Sequence, residues 1–133
     1  MLEQLTIKLE NALKNLGINP ESARIGVGQY NINKDKKVEL MLDVWEQNDR
    51  AFFQVLCVVN KINDLSRTEV LQMLLEENHG LVQASFAISG NDILIKETLE
   101  ATSFLGEEQL LMSIHRIAYY CEVYREKWNV VVN

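Results

Sequence analysis

The chain has 133 residues, 47% of them apolar and 24% charged, with a formal net charge of -6, which suits one folded domain spanning residues 1–133 around one core. The negative field repels phosphate backbones and anionic headgroups, so nucleic acid and membrane surfaces are excluded as expected partners. No apolar run approaches the roughly 20 residues of a membrane span.

Leu2, Leu5, Leu9, Ala12, Leu13 and Leu16 recur at three- and four-residue steps and predict an amphipathic helix that Gly17 and Pro20 end. Arg24 to Asn33 carries Ile25, Val27, Tyr30 and Ile32 around Gly26 and Gly28, a strand with a bulge or bend. Asn33 to Lys37 reads as a turn, and the basic residues Lys34 to Lys37 as its solvated face. Val38, Leu40, Leu42 and Val44 then alternate with Glu39, Met41, Asp43 and Trp45, the period of a strand with one buried face. Gln47 to Arg50 break this strand, and Ala51 to Val59 follows as a central strand, apolar on both faces.

Ser66 and Glu69 have capping-box spacing ahead of Val70, Leu71, Leu74 and Leu75, and Gly80 closes this second helix. Val82 to Ile88 alternates, Ser89 to Asp92 supplies a turn, and Ile93 to Leu99 runs back. Thr102 or Ser103 caps a last helix with Leu110, Leu111, Ile114, Ile117, Ala118 and Cys121 inward, and Trp128 to Val132 reads as an extended tail against the domain. The expected class is α+β, an antiparallel five-stranded sheet with helices in the order α-β-β-β-α-β-β-α.

Nothing in this pattern predicts catalysis, a cofactor or a metal. Gly26 and Gly28 lack the third glycine and the following helix of a dinucleotide loop. His79 lies at a helix end and His115 at the edge of the last helix's apolar stripe, neither with a second ligand at metal spacing. Of enzyme readings, His115 with Tyr119 one turn on is the one to test. Cys57 and Cys121 lie in apolar runs and read as buried thiols behaving as small hydrophobes. The chain opens on the polar stretch Met1-Leu2-Glu3-Gln4 instead of an apolar leader, so a cytoplasmic setting is expected.

The leucine-rich helix ending in Asn78, the strand Leu81 to Ile88, the return strand Asp92 to Leu99 and the helix starting near Leu105-Gly106-Glu107-Glu108 resemble the YbjN-like branch of the type III secretion chaperone-like superfamily. Asn78 and Phe86 match recurring positions, whereas Ala84 and Ser85 stand where relatives carry a glycine and a basic residue. The resemblance implies a small bacterial cytoplasmic protein, a homodimer, that binds a segment of another protein on an apolar surface.

If Val38 to Val44 turn their alternate side chains to the helices, Met41 and Trp45 point the other way, as do Phe52, Leu56 and Val58 of the next strand. These five residues are the expected partner or dimer contacts, since large apolar groups on an open sheet face mark interaction surfaces. A second reading is a small-ligand sensor whose cavity is lined by Phe53, Tyr30, Phe86 and Tyr120.

Overall fold

The computed structural model describes residues 1–34, 37–63 and 66–129. In chain order the elements are α1 (Leu2–Asn15), α2 (Pro20–Ala23), β1 (Arg24–Gly26), β2 (Gln29–Lys34), β3 (Val38–Gln47), β4 (Arg50–Lys61), α3 (Arg67–Asn78), β5 (Ser85–Ser89), β6 (Asp92–Glu100) and α4 (Glu107–Asn129). The strands form one antiparallel sheet in the order β1-β2-β3-β4-β6-β5. The α+β class is therefore as expected. Among the described residues, however, the sheet has six strands and not five.

The extra strand comes from the predicted Arg24 to Asn33 strand, which divides at Val27–Gly28. Gly28 takes φ +67°, and its carbonyl accepts the amide of Val44 at 2.8 Å, so the chain reverses there instead of bulging. A short helix not expected from the sequence, α2, precedes it: Pro20 opens its first turn and the Asn19 side chain accepts the Glu21 amide at 3.0 Å.

The β3–β4 connection is tighter than its polar composition required. Gln47 pairs with Arg50, and Asn48 and Asp49 both take positive φ, 54° and 61°, the conformation of a two-residue turn that matches the twist of its strands. The Ser66–Glu69 capping box does not form. The Ser66 hydroxyl instead donates to the Asn63 carbonyl at 3.3 Å, and α3 starts without a side-chain cap bond. The predicted strand from Val82 begins only at Ser85, because Gln83 adopts φ 57° and the Val82 amide donates to Tyr120 Oη at 3.2 Å.

Helices α1 and α4 cover one face of the sheet, placing Leu5, Leu9, Leu13, Leu110, Ile114 and Ile117 against Leu40, Leu42, Phe53, Val55 and Ile95. The side chains predicted to face the helices, Val38, Leu40, Leu42 and Val44, are all buried. Trp128, expected in an extended tail, lies in the last turn of α4 and is 1% exposed, packed on Phe86 and Tyr124. The predicted tail beyond Asn129 lies outside the described residues, as do Asp35 and Lys36 of the predicted basic turn.

An ion pair and a covalent bond both help to tie α4 to the sheet. Glu97, 3% exposed on the helix-facing side of β6, accepts both its bonds from Arg116 Nη1, at 2.6 and 2.8 Å. A buried carboxylate needs such a partner because desolvation otherwise costs several kcal/mol.

The second tie corrects the reading of the cysteines. Cys57 and Cys121 are buried, but they are bonded to each other as a disulfide between β4 and α4, with Cα atoms 6.4 Å apart. A bridge across 64 residues removes loop freedom worth about 4 kcal/mol from the unfolded chain in the entropic treatment.

Candidate partner-binding face

Because successive strand residues point to opposite sides, the burial of one face fixes what the other face presents. Among the described residues of β2 to β6, every side chain on the side away from α1 and α4 is half-buried or exposed. Among the described residues, the helices in contact with β3 and β4 are α1 and α4, which lie on the inner face.

The register assembles the predicted residues there. Met41 stands opposite Leu56, and Trp45 opposite Phe52. The two rings of the latter pair stack with centroids 5.6 Å apart and planes 23° from parallel. Val58 continues the row from β4 onto β6 and β5 through Leu94 and Ala87. Met41 is 40% exposed, and the other four predicted residues are half-buried. Leu94 and Ala87 were missed, although each alternates with a buried neighbour, Ile95 and Phe86.

The face is mixed, not continuously apolar. Between the Met41–Leu56 and Trp45–Phe52 pairs runs a polar row in which Gln29, Asp43, Gln54 and Thr98 lie side by side. Gln54 Oε1 accepts from Thr98 Oγ1 at 3.2 Å and from Lys96 Nζ at 3.3 Å. Burial pushes the Asp43 carboxyl above its ordinary range, partly opposed by a hydrogen bond from Gln54. A partner laid on this face would meet two apolar anchors with a polar rung between them.

The alternative cavity does not assemble. Tyr30 is on β2 and Phe86 on β5, four strand spacings apart in the sheet, or about 19 Å. Phe53 and Tyr30 are fully packed in the core, and Tyr120 accepts a bond at the start of the β5 segment. His115 and Tyr119 share an exposed face of α4. Among the described residues no group of three or more His, Cys, Asp and Glu could hold a metal, and no helix is long and apolar enough to cross a membrane.

No protein-family model matches the chain, and no curated protein matches its sequence. Its fold does match solved structures. A chain of the HopA1–SchA chaperone–effector complex superposes with a TM-score of 0.68 at 13% identity, over 92% of this chain and 93% of that one. A chain of the ExsC–ExsE complex gives 0.67 at 11% identity, over 99% and 96%. YbjN from E. coli gives 0.63 at 11% identity, over 98% and 92%. The likeness first suggested by the Asn78 and Phe86 segment thus holds for nearly the whole chain as a fold: the chain has the fold shared by YbjN and by these chains of the HopA1–SchA and ExsC–ExsE complexes.

Proposed function

We propose that the chain is a non-catalytic, cytoplasmic protein-binding module of chaperone type, which holds a second protein against the outer sheet face through Met41, Trp45, Phe52, Leu56 and Val58, and which self-associates as a homodimer. The observation that carries this reading is the one-sided sheet. One face is buried under α1 and α4, and the other keeps its large apolar groups half-open.

The size of the face is also suitable. Six strands give five spacings of about 4.8 Å, and the ten residues of β3 span about 34 Å, so the face covers roughly 800 Å², the contribution of one partner to a standard interface. The paired aromatics fit the role of anchors, because interface energy concentrates in a few large, desolvated side chains. Fold likeness to chains of a chaperone–effector complex supports a protein as the partner.

Light scattering on the purified chain tests this. The wild type is expected well above its 15.3 kDa chain mass, as a dimer or with a retained protein, and Trp45→Asp is expected to return it to the monomer mass with its circular dichroism intact. A monomer in both cases, binding no protein, sinks the proposal.

A further inference from the structure

The C-terminal half of α4 is held to the sheet at three successive levels. Outermost, Trp128 packs on Phe86 with ring centroids 4.8 Å apart, and one turn further in Tyr124 meets the same ring at 4.9 Å. Next, Arg125 donates from Nε at 3.2 Å and Nη2 at 2.7 Å to the Val58 carbonyl, beside the irregularity in β4–β6 pairing between Val58 and Asn60. Innermost is the Cys57–Cys121 bridge, whose residues are 1% and 0% exposed.

A helix opens from its end, and each level must release before the one beneath it. Loss of the aromatic and Arg125 contacts, together with the bonds that Tyr124 and Lys127 donate to Glu77, frees the last two turns. In the bridged protein the opening must then stop, because Cys121 cannot leave Cys57. A groove of about 610 Å³ flanks this point, with Lys37, Val59 and Asn60 on the sheet side and Glu122, Arg125 and Glu126 on the helix side. Release of Arg125 unroofs the bridge from that side, so the partial opening that the bridge permits is also the one that exposes it to exchange.

We propose that Cys57–Cys121 is a reversible redox staple that sets how far α4 can peel from the sheet, exchanging with a small thiol of the glutathione class. A thiolate attacks one bridge sulfur, the S–S bond breaks, and its electron pair leaves on the other cysteine, which takes up a proton. A second thiol attacks the mixed disulfide and releases the first cysteine, so two electrons and two protons enter the protein and one small-molecule disulfide leaves. In the dithiol form the opening runs on through Ala118 and Ile117, uncovering the inner face of β4. This device is independent of what the outer face binds. It also reconciles a disulfide with a reducing compartment, where such bonds are redox-sensing or transient more often than structural.

The test uses the full chain equilibrated in glutathione buffers of graded ratio. Thiols are counted by alkylation after denaturation, and amide hydrogen exchange is followed by peptide in the native state. Two thiols are expected to appear together across one midpoint. Amides from Ile114 to Cys121 should exchange about tenfold faster or more in the dithiol form, while those from Tyr124 to Asn129 change little, since they open in both states. Cys57→Ala with Cys121→Ala should show the dithiol pattern in every buffer, and the wild-type comparison stands alone if that variant does not fold. Two free thiols in all buffers, a bridge that never reduces in the native protein, or loss of protection spread evenly over the chain would each overturn the staple.

Discussion

Glu77, in the last turn of α3, faces two donors from the end of α4: Tyr124 Oη at 2.9 Å and Lys127 Nζ at 3.0 Å. The Lys127 bond, followed by the Tyr124 bond, holds the Glu77 carboxyl below its ordinary range, while burial and that carboxylate push the Tyr124 hydroxyl up to about 12. A carboxylate with a lowered folded pKa adds stability that is present above its unfolded pKa and is lost as pH falls through the folded value. Glu77→Gln should therefore cost roughly 1 kcal/mol at pH 7, and its urea midpoint should converge with that of the wild type as pH falls towards 2. Equal offsets at both pH values would show that the carboxylate charge contributes nothing. Asp43 acts with the opposite sign, since burial raises it and its contribution is lost as pH rises, whereas Glu10, held below its ordinary range by its Tyr30 hydrogen bond first, shares the sign of Glu77; the substitution at residue 77 separates its share from theirs. None of this was legible in sequence: 47 residues separate Glu77 from Tyr124, and only the packing of α4 past α3 brings them together.

Among the elements, the β1–β2 corner depends on one glycine in a way that the neighbouring turns do not. A Cβ at Gly28 would lie 2.4 Å from the Val44 carbonyl oxygen, at φ +67°, whereas Gly90, at φ +60°, has no atom within 4 Å of such a Cβ. Both alanines incur the left-handed backbone penalty of about 1 kcal/mol, but only the one at residue 28 must also displace a backbone atom of β3. Gly28→Ala should lower stability by more than about 2 kcal/mol and Gly90→Ala by about 1, read from paired denaturation curves. Equal losses would mean that the corner relaxes freely. The two glycines at 26 and 28 did announce an interruption in the sequence. Whether it was a bulge or a reversal depended on how closely β3 approaches, a register property that no local pattern carries. The same holds for the unformed Ser66 cap, where the spacing was right but the backbone entered the helix from a conformation that turned the hydroxyl back to Asn63.

Across the whole molecule, the division of the sheet into a buried and an open face is what sequence conveyed best, because period-2 alternation in β3 requires only local geometry. It placed all five expected contact residues on one side. What it could not convey was continuity across strands: the polar row from Gln29 to Thr98 that splits the apolar pairs arises from the register of four strands. The disulfide was hidden for a related reason, since two apolar runs containing cysteine look alike whether or not α4 crosses β4. The two faces can be separated experimentally at adjacent residues of one strand. Val55 is 0% exposed beneath the helices, while Leu56, next in β4, opposes Met41 on the open side. Val55→Ala should cost about 2 kcal/mol or more through the cavity it leaves and keep the native assembly mass wherever the chain remains folded. Leu56→Lys, with its stem free to lie along the surface and its charge in solvent, should change stability by less than about 1 kcal/mol but strip the protein of its partner, because a buried unpaired ammonium opposes any surface laid over it. If instead Leu56→Lys unfolds the chain and leaves assembly unaffected wherever it folds, the outer face is part of the fold's own stability and the partner must be sought elsewhere.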